Sequence, residues 1–230
     1  MHLRPTQAGL GVVLTAAFGA MLASGPANAQ PYYGDGTLPS LQGQLMGGYS
    51  ATSGAASDYL QGGWVADGGI TYWLNHGNGL GLRADLSYSY QPATDQFLSF
   101  GQQTTGQEVD DGWGNFSAAS AGLIYRAPFI GRSRLYALAQ IGISHVHLRL
   151  VQTFFVPGFY CDPYFGCGYP TVGSSSVYVY NTNHLSWNVG IGVEFPSYWG
   201  QDWFIEAQYR RIDIAPRPFE YWPIMVGMRF

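Results

Sequence analysis

Apolar and polar residues alternate strictly along several segments of this chain, and this pattern constrains the fold more than any other feature. From Leu80 to Tyr90 every second residue is apolar or aromatic, and the residues between them are glycine, serine or charged. The segments 183–195 and 222–230 show the same period. A period of two is typical of a β-strand with two different faces, and it argues against an amphipathic helix here.

Five further segments carry the pattern less cleanly, and with the first three they predict eight strands. They are residues 41–49, 64–74, 116–126, 135–150 and 203–212. Small residues leave the facing of 116–126 open. The alternation in 135–150 shifts around His145, where we expect a β-bulge.

The connectors between these segments alternate between short and long. The short ones are residues 75–78, 128–133 and 196–201, and the long ones are 50–63, 91–112, 151–182 and 213–221. Short turns on one side and long loops on the other are typical of transmembrane β-barrels. A soluble β-sandwich, the main alternative fold, gives no reason for this sorting.

The composition supports a barrel in a membrane. Only 10% of the residues are charged, against roughly 25% in soluble domains. After the first 30 residues, no stretch is apolar over the ~18 positions that a spanning helix needs. In lipid every backbone N–H and C=O needs an internal partner, so a sheet must close. The net charge of −4 argues against a nucleic-acid partner.

Residues 1–29 read as a secretory signal peptide, which leaves residues 30–230 as one barrel domain. Arg4 supplies a positive start, a short apolar stretch follows, and Ala27 to Ala29 form a small-residue cleavage site. The mature chain then meets an oxidising compartment, where Cys161 and Cys167 are expected to form a disulfide within one loop. A metal site that adds His145 or His147 is the alternative.

The polar faces of the predicted strands carry acids and arginines in nearly equal number. We expect them to form a paired network inside the barrel, because eight strands leave an interior just wide enough for side chains. The predicted members are Asp67, Arg83, Asp85, Glu194, Glu206, Arg210 and Arg229, with Arg126 as a further base. The network is either a structural plug or an ion pathway.

Aromatic residues cluster at the predicted strand ends, which favours two girdles at the membrane interfaces. The candidates are Tyr72, Trp73, Tyr88, Tyr90, Trp113, Tyr136, Tyr198, Trp199, Trp203 and Trp222.

The last segment ends on an aromatic residue with apolar residues at every second position before it: Trp222, Ile224, Val226, Met228 and Phe230. This resembles the C-terminal assembly signal of outer-membrane barrels. Segment 187–195 and the run Gln208-Tyr209-Arg210 resemble strands of the OmpA/OmpX-like barrel superfamily, the "porin family". The resemblance implies a Gram-negative outer membrane, surrounding lipid and lipopolysaccharide, and recognition of the last strand by the β-barrel assembly machinery. Because the predicted barrel ends at Phe230, we expect no periplasmic peptidoglycan-binding domain and no tethering by one.

The expected role is structural or interactive: a filled barrel that displays external loops, where a host or surface ligand could bind. A narrow channel for ions or small solutes is the first alternative. A lipid A-modifying enzyme is the second, because His184 and Ser186 are similar to the His-x-Ser arrangement of outer-membrane lipid A deacylases. Their face is expected to point inward, unlike the lipid-facing site of that family. We therefore expect no enzymatic activity and no cofactor.

Overall fold

The structure, a computed structural model, describes residues 41–74, 79–106, 108–127, 133–156, 161–162, 166–167, 171–195, 197 and 201–230. For residues 153–156, 161–162, 166–167, 171–174 and 177–178 only the backbone is described. The predicted signal peptide and residues 30–40 lie outside the described part of the chain.

Eight long antiparallel strands close into a barrel, and two short strands form a separate sheet. In chain order the strands are β1 (Leu41–Ser53), β2 (Gly63–Trp73), β3 (Gly79–Pro92), β4 (Asp111–Arg126), β5 (Arg134–Val156), β6 (Cys161–Asp162), β7 (Gly166–Cys167), β8 (Thr171–Phe195), β9 (Asp202–Ile212) and β10 (Phe219–Arg229). Strand β5 pairs with β8, and β1 pairs with β10 to complete the ring. The predicted fold, a closed barrel of about eight strands, is confirmed.

We call the barrel end that carries the long connectors the loop end. The strands differ from their predicted bounds mainly at this end. Here β4 begins at Asp111 rather than residue 116, and β8 begins at Thr171 rather than residue 183. The opposite end, with the short connectors, is the turn end. Beyond the membrane both faces of a strand meet water or other polar groups, so the alternation that marks a strand fades there.

The predicted bulge at His145 is wrong. Strands β5 and β8 keep one register from Arg134 to Leu150, and the irregularity lies between Leu150 and Val151. The backbone phase does not change at His145; instead the inward residues change from the polar Ser144 to the apolar Val146. The shift in the sequence pattern therefore reflects a change from polar to apolar side chains in the interior, and not an irregularity of the strand.

The loop end also holds an α-helix that was not predicted, α1 (Asp95–Thr105). Thr94 caps its start, because its hydroxyl accepts a hydrogen bond from the Phe97 N–H at 3.2 Å. Gly106 ends it with a φ of 69°, a left-handed conformation that favours glycine. A short 3-10 helix spans Gly54–Asp58. Among the described residues, neither this helix nor α1 has the length and apolarity to cross a membrane.

The barrel is apolar outside and polar inside. Large apolar side chains on its outer face are about half exposed or more, and they include Leu86, Ile143, Leu185, Ile191 and Ile224. The facing of 116–126 is now clear, since Phe116, Ile124 and Arg126 point inward and Leu123 and Tyr125 point outward. This distribution, the reverse of that in a soluble domain, suits a wall in contact with lipid.

Outward aromatic residues form two clusters on the wall. Trp64 contacts Tyr88 and Tyr90 on one side. On the other side Tyr209 lies between Trp187 and Trp222, with ring centroids 5.4 Å and 4.9 Å away.

The prediction that Trp73 and Tyr136 belong to the girdles is wrong, because both are buried inside the barrel. Each shares its strand face with inward charged residues, Asp67 on β2 and Arg134 on β5. Tyr198 and Trp199 lie outside the described residues.

Candidate functional site

An ion pair spans the middle of the barrel interior. The Nη1 and Nη2 atoms of Arg83 donate to the two carboxylate oxygens of Glu206 at 2.6 and 3.1 Å. Both side chains are fully buried. Arg83 lies on β3 and Glu206 on β9, with three strands between them on either side of the ring. The pair therefore crosses the full width of the barrel.

Both partners of this pair have further hydrogen bonds. The Arg83 Nε donates to Asp85 at 2.7 Å. Glu206 accepts hydrogen bonds from the Tyr136 hydroxyl at 2.8 Å and from the Gln208 side chain at 2.5 Å. Buried charges are tolerated when they are paired and their remaining lone pairs are filled, and these groups meet that condition.

Two amides hold the second acid of this layer. Gln44 donates to one oxygen of Asp85 at 2.7 Å, and Gln140 donates to the other at 2.8 Å. Because the amides come from β1 and β5, they tie Asp85 to two other parts of the wall.

Toward the turn end, Glu194 binds two arginines. Arg126 and Arg229 approach its carboxylate at 2.9 Å and 2.8 Å. The Arg126 guanidinium also lies 3.9 Å from the centre of the Trp73 ring, a cation–π contact. The Trp73 Nε1 donates to Gln42 at 2.7 Å. This layer fills the barrel near its turn end.

Toward the loop end, Asp67 and Arg210 form an ion pair between β2 and β9. The Arg210 Nε donates to Gln208 at 2.6 Å, which joins this pair to the middle layer. Arg229 donates to Gln44 at 3.3 Å, which joins the middle layer to the turn-end layer.

The three layers thus form one connected network along the barrel axis. A continuous path of hydrogen bonds runs, in order, through Asp67, Arg210, Gln208, Glu206, Arg83, Asp85, Gln44, Arg229, Glu194, Arg126, Gln42 and Trp73.

An apolar cap closes the barrel above this network. The rings of Phe116 on β4 and Phe219 on β10 stack across the interior with centroids 4.6 Å apart. These strands are also opposite each other in the ring. The cap continues into Leu60 and into Phe97 of α1, which are buried against it. We use "apolar cap" for the set Ala56, Leu60, Ala93, Phe97, Val109, Phe116, Val146, Leu150, Ile212, Phe219 and Tyr221.

A small cavity remains between the network and the cap. Four serines from four strands line it, together with Asn188, Arg210 and Tyr221, and its volume is ≈ 20 Å³. The serines are Ser87, Ser120, Ser144 and Ser186. A space of this size holds about one water molecule. It is too small to act as a passage.

The structure places all seven predicted network residues, and Arg126, inside the barrel and buried. The predicted network did not include Gln42, Gln44, Gln140 and Arg134, which are buried as well. The alternation of the sequence could have identified them, since each occupies an inward position of its strand. Neutral amides carry no charge to draw attention, although they provide many of the network's hydrogen bonds.

The pair proposed for catalysis points inward, as expected. The His184 Nε2 lies 3.0 Å from the Tyr180 hydroxyl and 3.3 Å from that of Thr182. Ser186 is buried and lines the small cavity. Within the described residues, no hydrogen bond joins His184 to Ser186, so the arrangement lacks the contact that would activate a serine.

The predicted disulfide falls on two short strands. The backbones of Cys161 and Cys167 lie directly opposite each other in the β6–β7 pair. Their side chains lie outside the described part of the chain, and so does most of the long loop around them. The disulfide therefore stays a prediction.

The predicted assembly signal lies on the outer face of β10 and at its end. Trp222, Ile224, Val226 and Phe230 are about half exposed. The backbone of Phe230 exchanges two hydrogen bonds with Gly43 of β1, at 2.8 and 2.9 Å. The last residue thus fastens the seam that closes the ring, and its recognition by assembly machinery stays a prediction.

Comparison with known proteins gives structural matches only. No family model matches the sequence, and no curated protein matches it. The crystal structure of Neisserial surface protein A superposes with a TM-score of 0.50 at 12% identity, covering 83% of this chain and 96% of that one.

Two further solved structures are similar over most of their length. Ail of Yersinia pestis, in complex with a heparin analogue, has a TM-score of 0.44 at 14% identity and covers 83% of this chain and 99% of its own. The N-terminal β-barrel domain of Pseudomonas aeruginosa OprF has a TM-score of 0.35 at 13% identity, with coverages of 82% and 97%. At these identities the likeness concerns the fold.

Proposed function

From the premise that the chain is an outer-membrane β-barrel of the OmpA/OmpX-like fold, we propose that it is a scaffold without a conducting pore. In this proposal it presents a long β-hairpin outside the cell. Its apolar outer face lies in the outer membrane, and its loop end faces outward.

The filled interior is the observation that carries this proposal. An ion that passed along the axis would first have to separate Phe116 from Phe219 in the apolar cap. It would then have to break the pair of Arg83 and Glu206, which spans the width of the barrel. Breaking a buried ion pair costs about 3–5 kcal/mol, so spontaneous opening is rare.

The long hairpin supports the second half of the proposal. Strands β5 and β8 have 23 and 25 residues, whereas about 9–11 suffice to span a membrane. Among the β5 side chains that the structure describes, Ile143 is the last outward apolar one, and the strand continues to Val156. At about 3.3 Å per residue this adds about 40 Å of strand. A paired hairpin of this length is a stiff support for a contact surface.

Single-channel recording in planar bilayers tests the closed interior. We expect the purified, refolded protein to show no steady unitary current, with a known porin as positive control. A reproducible ohmic step would support the narrow channel instead and would overturn this part of the proposal.

Protease added to intact cells tests the display of the hairpin. We expect cleavage within residues 157–170 and protection of the barrel strands. Cleavage only after the outer membrane is permeabilised would mean that the loop end faces the periplasm.

The absence of enzymatic activity is also part of the proposal. His184 is engaged by Tyr180 and Thr182, and Ser186 lines the small interior cavity rather than facing lipid. Mass spectrometry of lipid A from cells that express the wild type or Ser186→Ala should give identical acyl patterns. A chain missing only in the wild-type cells would restore the enzyme alternative.

A further inference from the structure

A polar patch lies on the outer face of the barrel, directly beyond the apolar wall. The strand registers place Trp113, Arg149 and Val179 side by side, then Asn115, His147 and Asn181, then Ser117, His145 and Asn183. We call these nine residues the outer polar patch. The next row toward the turn end is Ala119, Ile143 and Leu185, which is fully apolar. The patch therefore begins where the membrane-facing surface ends.

The centre of the patch is a column of three nitrogen bases on β5. None of the nine residues is acidic. The Arg149 Nε donates to the Ser176 hydroxyl at 2.8 Å, and its guanidinium lies 5.4 Å from the centre of the Trp113 ring. Neither contact neutralises the arginine. The nearest acid along β4, Asp111, lies one row beyond Trp113, opposite Val151.

A second outward arginine at the loop end shows the contrast. Arg211 on β9 contacts Asp213 at 3.0 Å and Glu220 at 3.5 Å. Its charge is therefore balanced by two acids. Among the described residues Arg149 has no acidic partner, and its contacts are the neutral Ser176 hydroxyl and the Trp113 ring.

The depth of the patch matches the headgroup layer. With about 3.3 Å per residue and a tilt of about 40°, His145 lies about 25 Å above Leu135 at the turn end. The apolar band of an outer-membrane barrel is about 25 Å tall, so His145 marks its edge. Arg149 lies about 10 Å further out on the same scale. The column of bases thus spans the depth at which lipid phosphates lie.

The neighbours of the column suit a sugar. Asn115 and Asn181 flank it, and amides both donate to and accept from hydroxyl groups. Asn183 flanks it as well, with its Oδ1 hydrogen-bonded to the His145 Nδ1 at 2.8 Å. The Asn115 Oδ1 is buried and has no hydrogen-bond partner among the described residues. A phosphate group beside sugar hydroxyls would match these donors and acceptors together.

We infer that the outer polar patch binds the phosphorylated glycolipid headgroup of the outer leaflet, with Arg149 and His147 contacting a phosphate and the flanking asparagines contacting sugar hydroxyls. The site lies on the outer wall, so it does not depend on whether the interior conducts. It does depend on the loop end facing outward.

Native mass spectrometry of the full mature barrel in detergent tests this inference. The probes are bisphosphorylated lipid A, its dephosphorylated form and phosphatidylglycerol, each added at the same concentrations. We expect the wild type to retain bisphosphorylated lipid A about tenfold better than the other two. The double variant Arg149→Gln/His147→Gln should lose most of that preference, and Arg211→Gln should keep it.

Each result separates the alternatives. Equal retention of the phosphorylated and dephosphorylated lipids would mean apolar contact only and would overturn the inference. Preference for phosphatidylglycerol, or an unchanged preference in the double variant, would overturn it as well. A shift between boiled and unboiled samples on a gel confirms that each variant is folded, and the outward position of these half-buried residues, away from the filled interior, makes misfolding a small risk.

Discussion

Arg83 and Glu206 meet across the full width of the barrel, joined by two parallel hydrogen bonds of 2.6 and 3.1 Å between strands that are opposite each other in the ring. This bidentate geometry is the strongest form of an arginine–carboxylate pair. Since both groups are buried away from water, each charge is compensated only while the other residue is present.

Removal of one partner should therefore destabilise the barrel. We expect Arg83→Met to lower the free energy of unfolding in lipid vesicles by about 3–5 kcal/mol, because it leaves the Glu206 carboxylate buried beside Asp85 without its cation. Urea titration monitored by tryptophan fluorescence measures the effect.

The control for this prediction is Arg211→Gln, which removes the two surface ion pairs with Asp213 and Glu220 and should cost less than about 1 kcal/mol. The double variant Arg83→Met/Glu206→Leu should recover part of the loss, because it leaves no unpaired glutamate. Equal effects of Arg83→Met and Arg211→Gln would contradict the role given to the pair.

The apolar cap and the charged network block the barrel one after the other, and this predicts how mutations change the conductance. Phe116→Ala/Phe219→Ala should open the apolar cap but leave the current at baseline, because the charged network below still fills the barrel. The same change combined with Arg83→Ala/Glu206→Ala should also leave the current at baseline, because the layer around Glu194 still fills the barrel near its turn end. Current from the cap variant alone would show that the cap is the single barrier.

Close backbone packing at the seam predicts a difference between two adjacent glycines. A Cβ on Gly48 would collide with the Ile224 carbonyl oxygen and lie 2.8 Å from the Met225 Cα, whereas a Cβ on Gly47 would lie 3.6 Å from the nearest atom. Gly48→Ala should therefore lower the refolding yield and the unfolding midpoint, and Gly47→Ala should leave both near the wild-type values. The boiled and unboiled gel gives the yield, and similar losses for both variants would refute the argument.

The facing backbones of Cys161 and Cys167 predict the state of the thiols. Mass spectrometry of alkylated, non-reduced protein from the cell envelope should show no labelled thiol. Cys161→Ser/Cys167→Ser should leave the unfolding midpoint of the barrel unchanged and make residues 157–170 more sensitive to protease, since the link would stiffen only the hairpin tip. Two labelled thiols in the wild type would exclude the disulfide.

Strand number and facing could be predicted because the two faces of a barrel wall meet different surroundings. Along Leu80–Tyr90, lipid on one side and the filled interior on the other select different residue types at every step. That contrast is lost in the first half of β8, which begins at Thr171 outside the predicted range, because both faces lie beyond the apolar wall. Helix α1 was missed although Thr94 and Gly106 are standard helix boundaries.

The partners within the interior could not be predicted. The pattern shows that Arg83, Asp67 and Glu206 point inward, but the stagger of the strands decides which of them meet. That stagger is set when the ring closes. Trp73 and Tyr136 were assigned to the wrong face because their position at the strand ends suggested an interface. Their rings instead fill the interior, where Trp73 contacts Arg126 and Tyr136 contacts Glu206.

The connection between Arg83 and Glu206 also orders the events of biogenesis. The two residues are 123 positions apart, on the third and the next-to-last strands. Until β9 arrives, Arg83 is paired only with Asp85 of its own strand, and entry of a half-formed sheet into hydrocarbon would expose these charges without the Glu206 carboxylate from the opposite wall. The early strands must therefore wait in an aqueous shelter, and insertion must coincide with ring closure in a single cooperative step.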